Sequence, residues 1–220
     1  MKRILVVCAH PDDETLGMGG TISQHAKQKD QVFVLVLSEG ESNRNKKSTN
    51  ILQRKKQAIK ACAILGVKET KFLNYADQKL DTVALSELSK KIESVIKDWD
   101  PDIVYTHYWN DLNQDHRQTF EATAIAVRPQ PKSKISQFIC FETPSSSEWA
   151  GKNYSFSPNM FINIEKTIKN KLKAFAEYKD EVMRYPHPRS KEAVIYRAKF
   201  WGNGIGVDSA EAFIIIREIR

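Results

Sequence analysis

The sequence opens with MKRILVVCAHPDDETLGMGG (residues 1–20), and this stretch decides the fold class. Residues 4–9 are a continuous run of apolar and β-branched side chains, typical of a strand buried on both faces of a parallel sheet. Residues 32–37 repeat the pattern, and residues 15–29 between them have the length and polarity of a covering helix. A strand–helix–strand unit of this kind predicts a right-handed crossover between two parallel strands.

Strands and helices continue to alternate along the rest of the chain. The hydrophobic pattern predicts further strands at residues 71–74, 103–106, 138–141, 161–164 and 210–216. It predicts further helices at residues 48–65, 85–99, 115–127 and 165–184. Because no repeat, low-complexity tract or linker divides the 220 residues, we expect a single domain over residues 1–220. The fold class that we predict is α/β, with three Rossmann-like layers and a mostly parallel central sheet.

The composition is that of a soluble globular protein, with 41% hydrophobic and 28% charged residues. No apolar run approaches the roughly 20 residues that span a bilayer, so no membrane span is predicted. The basic and apolar start is similar to a secretory signal, but His10 and Pro11 interrupt it early, and we reject that interpretation. Three separated cysteines without a CxxC pair favour reduced thiols, which predicts a cytoplasmic location.

The chain has a formal net charge of +7, with basic clusters at residues 44–47, 54–56 and 166–179. These clusters are either solvated helix faces or a surface that attracts an anionic partner. No nucleic-acid-binding motif accompanies them, so nucleic acid is not a predicted partner. A small substrate that carries phosphate or carboxylate is compatible with the charge.

Two polar segments follow predicted strands and carry the candidate chemistry. Residues 10–14 (HPDDE) follow the first strand, and residues 107–117 (HYWNDLNQDHR) follow the strand at 103–106. Since ligands bind beyond the carboxyl ends of parallel strands, we expect both segments at one edge of the sheet. His10 and Asp13 can face one ion there, and a histidine of the second segment would complete a catalytic zinc set. Asp12 is then placed to accept a proton as a general base.

These residues carry a resemblance to a known family. Residues 9–14 (AHPDDE), with glycines at 17, 19 and 20, resemble the signature of the LmbE-like (PIG-L) zinc-dependent N-deacetylases. Residues 111–117 (DLNQDHR) are similar to the second motif of that family. The likeness continues in residues 141–149 (FETPSSSEW), 186–190 (PHPRS) and 210–213 (AEAF), and thus spans nearly the whole chain.

The resemblance implies a function and a set of site residues. It implies removal of the acetyl group from N-acetylglucosamine units in sugars, glycolipid precursors and glycosides. It implies one zinc ion per chain, held by His10, Asp13 and His116, with Asp12 as the general base. Asp115, beside a ligand, is expected to orient an imidazole. The expected partner is a small N-acetylated sugar or conjugate, and a homo-oligomer is an open alternative to a monomer.

The sequence departs from the family pattern at Asn113, where many members carry a histidine that steadies the tetrahedral intermediate. An asparagine amide donates a hydrogen bond to an oxyanion but carries no charge. Either Asn113 acts as a neutral donor, or another residue, with His187 and Arg54 as candidates, supplies the charge. Arg54, His187 and Arg189 are also the predicted substrate-binding residues, together with Asp111.

Two alternative functions remain open at this point. A two-ion phosphoesterase would need bridging carboxylates, for which Glu14, Asp111 and Asp115 are available. A non-catalytic nucleotide-binding Rossmann protein would need a phosphate loop, but the glycines at residues 17–20 do not form GxGxxG. We expect those glycines to let the helix and a strand pack closely.

Overall fold

The computed structural model describes residues 1–44, 48–131, 133–151 and 156–220. Of the basic cluster at residues 44–47, residues 45–47 lie outside the described residues. Within the described ranges, no helix combines the length and the apolar character needed to cross a membrane.

Strands and α-helices alternate along the described part of the chain. The strands are β1 (Arg3–Cys8), β2 (Gln31–Ser38), β3 (Glu69–Tyr75), β4 (Ile103–His107), β5 (Gln137–Phe141), β6 (Met160–Asn163) and β7 (Ala210–Glu218). The helices are α1 (Asp13–Lys27), α2 (Ser48–Leu65), α3 (Leu85–Trp99), α4 (Gln114–Ala126), α5 (Ile168–Phe175) and α6 (Lys191–Asn203). From β1 to β5, every predicted element is present, with boundaries within about two residues of the prediction.

All seven strands form one sheet in the order β3-β2-β1-β4-β5-β7-β6. Strands β1 to β5 pair in parallel, whereas β7 runs antiparallel to both β5 and β6. The predicted α/β fold with a mostly parallel sheet is therefore confirmed. The strand order reverses between β1 and β4, and in such sheets the crevice beyond this reversal is where ligands bind.

Helices cover both faces of the sheet and make the three layers. Alternate residues of β1 point to opposite faces, as the pleat of a strand requires. Ile4, Val6 and Cys8 pack in the core formed with α1, α2 and α5. Leu5 and Val7 pack in the second core, formed with α3 and α4. Because β1 is buried on both faces, its continuous apolar run is explained.

The predicted basic helix at residues 165–184 is wrong in length, since α5 spans only Ile168–Phe175. The residues that follow α5 are good helix formers, so local propensity alone favours continuation. The Tyr178 hydroxyl instead donates to Glu14 Oε1 over 2.6 Å, and the Glu181 carboxylate pairs with two arginines. These tertiary contacts place residues 178 and 181 against buried groups of the site, and they outweigh the local preference for a longer helix.

The helix α6 was not predicted from the sequence. Ser190 forms its N-cap, and the Ser190 Oγ accepts a hydrogen bond from the Ala193 amide over 3.0 Å. A serine at this position is a recognised start signal for a helix. Helix α1 also begins earlier than predicted, at Asp13 rather than at residue 15.

The glycines of α1 allow the close packing that the sequence predicts. A Cβ atom placed on Gly17 would clash with the Phe141 ring, and one on Gly20 would lie 2.8 Å from Ile164. The helix is kinked at Met18, whose φ is −148°. Beyond the kink, Glu211 accepts hydrogen bonds from the amides of Gly20 and Thr21.

Candidate active site

Two polar loops meet where the strand order reverses. The first leads from β1 into α1 through Asp12, whose φ of 117° is unusual for a residue other than glycine. The Asp12 carbonyl accepts hydrogen bonds from the amides of Thr15 and Leu16, which fixes the start of the helix. The second loop leads from β4 into α4, which begins after the N-cap residue Asn113. A strained backbone such as that of Asp12 is common at functional sites.

His10, Asp13 and His116 form the centre of the site. One possible ligand atom of each lies within 4.8 Å of the other two. The Nδ1 atom of His10 is 3.5 Å from Asp13 Oδ2, and the Nε2 atom of His116 is 3.5 Å from Asp13 Oδ1. All three residues are buried. The structure thus brings together the three predicted ligands, a donor set found in catalytic zinc sites.

Each histidine turns its other ring nitrogen toward a second carboxylate. The Nε2 atom of His10 is 3.0 Å from Asp115 Oδ2, and the Nδ1 atom of His116 is 3.2 Å from Asp111 Oδ1. Carboxylates in this position fix the ring orientation of a histidine that binds a metal. The residues present therefore fit a divalent cation held between the inner nitrogens and Asp13.

The pKa values of the cluster indicate a strongly negative potential. Burial lowers the pKa of His10, but hydrogen bonds to Asp115 and Asp13 raise it well above its usual range. Burial likewise lowers the pKa of His116, but the charges of Asp13 and Asp111 raise it to about 9. Burial raises the pKa of Asp13, yet the charge of His116 holds it well below its usual range. Such a cluster favours positive charge at its centre.

Asp12 lies beside this cluster, between two arginines. Its Oδ2 atom is 3.0 Å from Arg54 Nη2 and 3.6 Å from Arg189 Nη1. Neither contact has hydrogen-bond geometry, so within the described residues Asp12 Oδ2 accepts no hydrogen bond. Burial raises the pKa of Asp12, and the two arginines oppose that rise. A buried carboxylate oxygen with a free lone pair is suited to accept a proton.

Arg54 belongs to a buried network of charges. Its side chain is 2% exposed, and its Nη1 atom is 2.9 Å from Glu181 Oε1. Glu181 also pairs with Arg189, so one carboxylate joins both guanidinium groups. The Arg54 guanidinium lies 5.1 Å above the centroid of the Tyr178 ring. Arg54, predicted as a substrate contact, is thus turned toward carboxylates of the protein.

The carboxylate of Glu14 makes hydrogen bonds with Asp12, Thr15 and Tyr178. Its Oε2 atom accepts a hydrogen bond from the Asp12 amide over 3.0 Å, and its Oε1 atom accepts from the hydroxyls of Thr15 and Tyr178. Burial raises the pKa of Glu14 to about 7, against the effect of these hydroxyl donors. The position of Glu14 supports the loop that carries Asp12.

Asn113 and Asp115 both hold the second loop in place. The Oδ1 atom of Asn113 accepts a hydrogen bond from the Asp115 amide over 2.9 Å and caps α4. The two carboxylate oxygens of Asp115 accept from the amides of Gln78 and Leu80 as well as facing His10. Asp115 therefore orients His10, and Asn113 has a capping role that the sequence did not reveal.

Asp111 lies between His116 and two serines. The hydroxyls of Ser146 and Ser147 both donate to its carboxylate. Burial raises the pKa of Asp111, but the charge of His116 and these hydrogen bonds lower it to about 2. Asp111 was predicted to bind substrate, and its described contacts instead hold His116 and the 145–147 loop.

His187 and Arg189 approach the site from the segment between α5 and α6. The His187 Nδ1 atom accepts a hydrogen bond from the Arg189 amide over 3.0 Å. The His187 ring meets the ring of Trp149 edge-on, with 5.7 Å between centroids. Arg189 donates from Nε to Ser145 Oγ, so the 145–149 and 187–189 segments are joined.

Two carboxylates near the site, Asp77 and Glu181, escaped prediction, and His107 lies at the end of β4. Asp77 Oδ1 is 3.3 Å from His10 Nε2, and His10, Asp77 and Asp115 form a second metal-compatible group. His107 stacks on His116 with centroids 4.0 Å apart and accepts a hydrogen bond from the Ala9 amide. Burial, then the charge of His116, lower the pKa of His107 to about 4. Asp77 and Glu181 are isolated residues in the sequence, whereas His107 begins the polar segment 107–117 that follows a predicted strand.

Comparison with known proteins identifies the family. Residues 5–127 match the family described as PIG-L, GlcNAc-PI de-N-acetylase. A relative called uncharacterized deacetylase YaiS, from Escherichia coli K12, is 32% identical over 184 residues, covering 81% of this chain and 91% of the relative. The chain therefore belongs to the PIG-L (LmbE-like) deacetylase family.

A second relative extends the match over more of the chain. The diacetylchitobiose deacetylase of Thermococcus kodakarensis is 26% identical over 216 residues, covering 92% of this chain and 80% of the relative. The matching family is that of a de-N-acetylase, and diacetylchitobiose deacetylase is likewise an N-deacetylase, a hydrolase that acts on amides. The chain is accordingly an enzyme of the amide-hydrolysing N-deacetylase class.

Solved structures share the fold. The conserved protein TT1542 of Thermus thermophilus has a TM-score of 0.82 at 24% identity, covering 100% of this chain and 97% of that one. The hydratase GalB of Pseudomonas putida has a TM-score of 0.79 at 21% identity, covering 100% and 98%. Since a hydratase also has this fold, the reaction must be argued from the site rather than from the architecture.

Proposed function

We propose that this enzyme uses one zinc ion to remove the acetyl group from an N-acetylglucosamine-type amino sugar or its conjugate. The observation that carries the proposal is the arrangement of His10 and His116. One ring nitrogen of each histidine lies near Asp13, and the other lies near the carboxylate of Asp115 or Asp111, respectively. The family assignment and the relative that acts on diacetylchitobiose support the substrate class.

His10, Asp13 and His116 would hold the ion. Zinc, when bound, supplies a Lewis acid that polarises the acetamide carbonyl and lowers the pKa of water. Asp111 and Asp115 orient the two imidazoles from outside. The negative potential of the buried carboxylates balances the charge of the ion.

Asp12 is the proposed general base and acid. Its Oδ2 accepts the proton of the attacking water and returns that proton to the nitrogen of the leaving amine. The leaving nitrogen must be protonated because a deprotonated amine (R–NH⁻) is a poor leaving group. Arg54 and Arg189 favour the ionised carboxylate, whereas burial favours the protonated one. These opposed effects suit a group that must both take and give a proton.

Asn113 and the arginine pair are the candidates for stabilising the oxyanion. The Oδ1 atom of Asn113 caps α4, which leaves its amide NH₂ for the substrate. Arg189 has a side chain 20% exposed and lies near Asp12, so it is the proposed cationic contact. His187 and Arg54 would position Arg189 and Asp12 rather than contact the sugar.

The two alternatives are less well supported. Glu14, one of the carboxylates that a two-ion phosphoesterase would use, binds the Asp12 amide and the Tyr178 hydroxyl. A non-catalytic nucleotide-binding protein does not account for the buried His–Asp–His cluster. The family assignment favours the deacetylase over both.

We also infer that residues 1–220 form a single domain, since all seven strands join one sheet. The three cysteines are free and buried, which supports the predicted cytoplasmic location. An anionic substrate and a homo-oligomer stay predictions.

The experiment is an acetate-release assay with the zinc-loaded protein. The substrates are N-acetylglucosamine and N,N′-diacetylchitobiose, and p-nitrophenyl phosphate tests for phosphoesterase activity. We expect acetate from at least one N-acetyl sugar and no phosphate. Phosphate release without acetate would replace the proposal by the phosphoesterase alternative.

A further inference from the structure

Helix α1 is interrupted about one turn after Asp13. Met18 has a φ of −148° and a ψ of 25°, and these values lie outside the helical region. Backbone amides and carbonyls on the two sides of a sharp kink lose regular partners within the helix. Residues 13–23 are all buried, so polar groups elsewhere in the protein must replace the lost partners.

Glu211 of β7 supplies the acceptors on the far side of the kink. Its Oε1 atom accepts a hydrogen bond from the Gly20 amide over 3.0 Å, and its Oε2 atom accepts from the Thr21 amide over 2.7 Å. A carboxylate that binds successive amides acts on the second part of α1 as an N-cap acts on a whole helix. Glu211 is 4% exposed, so its buried charge needs a partner.

Lys171 of α5 supplies both that partner and a donor on the near side of the kink. Its Nζ atom is 2.5 Å from Glu211 Oε1 and donates over 2.8 Å to the Leu16 carbonyl. A Cβ atom at Gly19 would lie 3.2 Å from Lys171 Cγ, so this glycine leaves room for the lysine stem. An ammonium group bound to a carbonyl suits the carboxyl end of a helical turn.

Leu16 connects the ion pair to the loop that carries the proposed chemistry. The Leu16 amide donates to the Asp12 carbonyl over 2.8 Å, and the Leu16 carbonyl accepts from Lys171. Asp13 lies between these two points of attachment. The ion pair is therefore fixed to the short turn that contains one proposed zinc ligand and follows the proposed base.

Neither ligand binding nor stability alone explains the pair. The cavity beside Lys171 and Glu211 measures about 20 Å³, which is room for one water molecule, whereas small-molecule sites offer about 300–1,000 Å³. A buried ion pair often contributes less stability than apolar residues of similar volume. The contacts that the pair makes on both sides of the kink indicate a role in geometry.

We propose that Lys171 and Glu211 are positioning residues of the metal site. They set the angle between the first turn of α1 and the rest of the helix, and thereby the direction in which Asp13 presents its carboxylate. The inference rests on the proposed function, in which Asp13 binds the ion. It goes beyond that function because it assigns a role to two residues of α5 and β7, outside both loops of the site.

The test uses cobalt(II) in place of zinc, because its visible absorption band reports the geometry of its ligands. Lys171→Met combined with Glu211→Gln removes both charges and leaves no buried charge without a partner. His25→Gln combined with Asp30→Asn is the matched control. It removes an ion pair at the other end of α1, where 3.0 Å separates His25 Nδ1 from Asp30 Oδ2.

We expect the Kd for cobalt(II) to rise about tenfold in the Lys171→Met/Glu211→Gln protein, with a shifted absorption band. With zinc, kcat for acetate release from N,N′-diacetylchitobiose should fall about tenfold, and KM should stay within about twofold of wild type. The control protein should keep the wild-type band and a Kd within about twofold of wild type. A folded Lys171→Met/Glu211→Gln protein with the wild-type band and Kd would overturn the inference.

Gly19→Ala is a second variant, which decides the matter if circular dichroism shows that the first does not fold. It keeps both charges, but its methyl group presses on the Lys171 stem. We expect a Kd for cobalt(II) about threefold above wild type and a shift of the band. Wild-type values in Gly19→Ala would then overturn the inference.

The wild-type protein separates this inference from the proposed function. If wild type binds cobalt(II) but the zinc-loaded protein releases no acetate, the proposed reaction fails. A shifted band in the Lys171→Met/Glu211→Gln protein would still support the positioning role. If wild type binds no cobalt(II), the proposed metal site and this inference are both overturned.

Discussion

Arg54 and Asp12 form a buried ion pair in which 3.0 Å separates Nη2 from Oδ2 and neither side chain is more than 2% exposed. The pair is joined to a second one, because Glu181 binds both Arg54 and Arg189. Two guanidinium groups therefore share the carboxylates of Asp12 and Glu181, and a third carboxylate, that of Glu41, lies 4.0 Å from Arg54 Nε. Buried charges of this kind persist only when each has a partner.

Replacing Asp12 by asparagine tests the assigned base. Asp12→Asn keeps the shape of the side chain but accepts no proton, so we expect kcat to fall by at least about a hundredfold. Zinc content should stay at the wild-type level, because Asp12 is not a proposed ligand. Rates are measured by acetate release, with the exposed Asp81→Asn as the control. Wild-type turnover in Asp12→Asn would show that another group moves the proton.

The metal content tests the assigned ligands. We expect about one zinc ion per chain by mass spectrometry after zinc loading and removal of excess metal. His116→Ala should lose the ion, because one of three protein ligands is removed. His25→Ala is the control, since His25 pairs with Asp30 and Tyr105 in another part of the structure. Undiminished zinc in His116→Ala, or two ions in wild type, would contradict the assignment.

Glu181→Gln should destabilise the protein. The change leaves two guanidinium groups with one carboxylate fewer in a buried network, and such a loss costs about 3 kcal/mol or more. The free energy of unfolding is measured by urea denaturation monitored by circular dichroism. Glu121→Gln, an exposed change within α4, should alter this free energy by less than about 0.5 kcal/mol. A Glu181→Gln protein as stable as the control would show that the arginines are satisfied without Glu181.

Asn113 has two separable roles, the cap of α4 and a proposed donor to the oxyanion. Asn113→Ser keeps an oxygen that caps the helix but removes the amide NH₂. We expect its stability to stay within about 0.5 kcal/mol of wild type, and its kcat to fall by about a hundredfold. Asn113→Ala should lose the cap as well, at a cost of about 1 kcal/mol. Full activity in Asn113→Ser would restrict the residue to capping.

Sequence reasoning located the site because of how parallel strands are arranged. His10 and His116 are far apart in the chain, but each follows a strand, and β1 and β4 are neighbours in the sheet. The carboxyl ends of these strands bring both polar segments to one edge. The convergence of His10, Asp13 and a histidine of the second segment could therefore be predicted from the arrangement of the strands, whereas the choice of His116 came from the resemblance to the deacetylase family.

The supporting residues could not be found in the same way. Glu181 and Tyr178 lie in a segment whose composition predicts a continuous helix, and no motif marks their turn toward Arg54. Asp77 is a single carboxylate in a loop, with no pattern around it. Their roles depend on packing between elements distant in sequence, which local propensity does not encode.

The absence of a side chain at Gly17 lets helix α1, which carries Asp13, pack closely against the part of the site that carries His116. Gly17 lies one turn beyond Asp13, and the Phe141 ring occupies the space where its side chain would be. Phe141 contacts His107, and His107 stacks on His116, so a column of three rings runs from the helix to the second imidazole. A methyl group at residue 17 would push on one end of this column and shift His116 at the other. The position of the His116 ring is thus set partly by a residue that has no donor atom in its side chain.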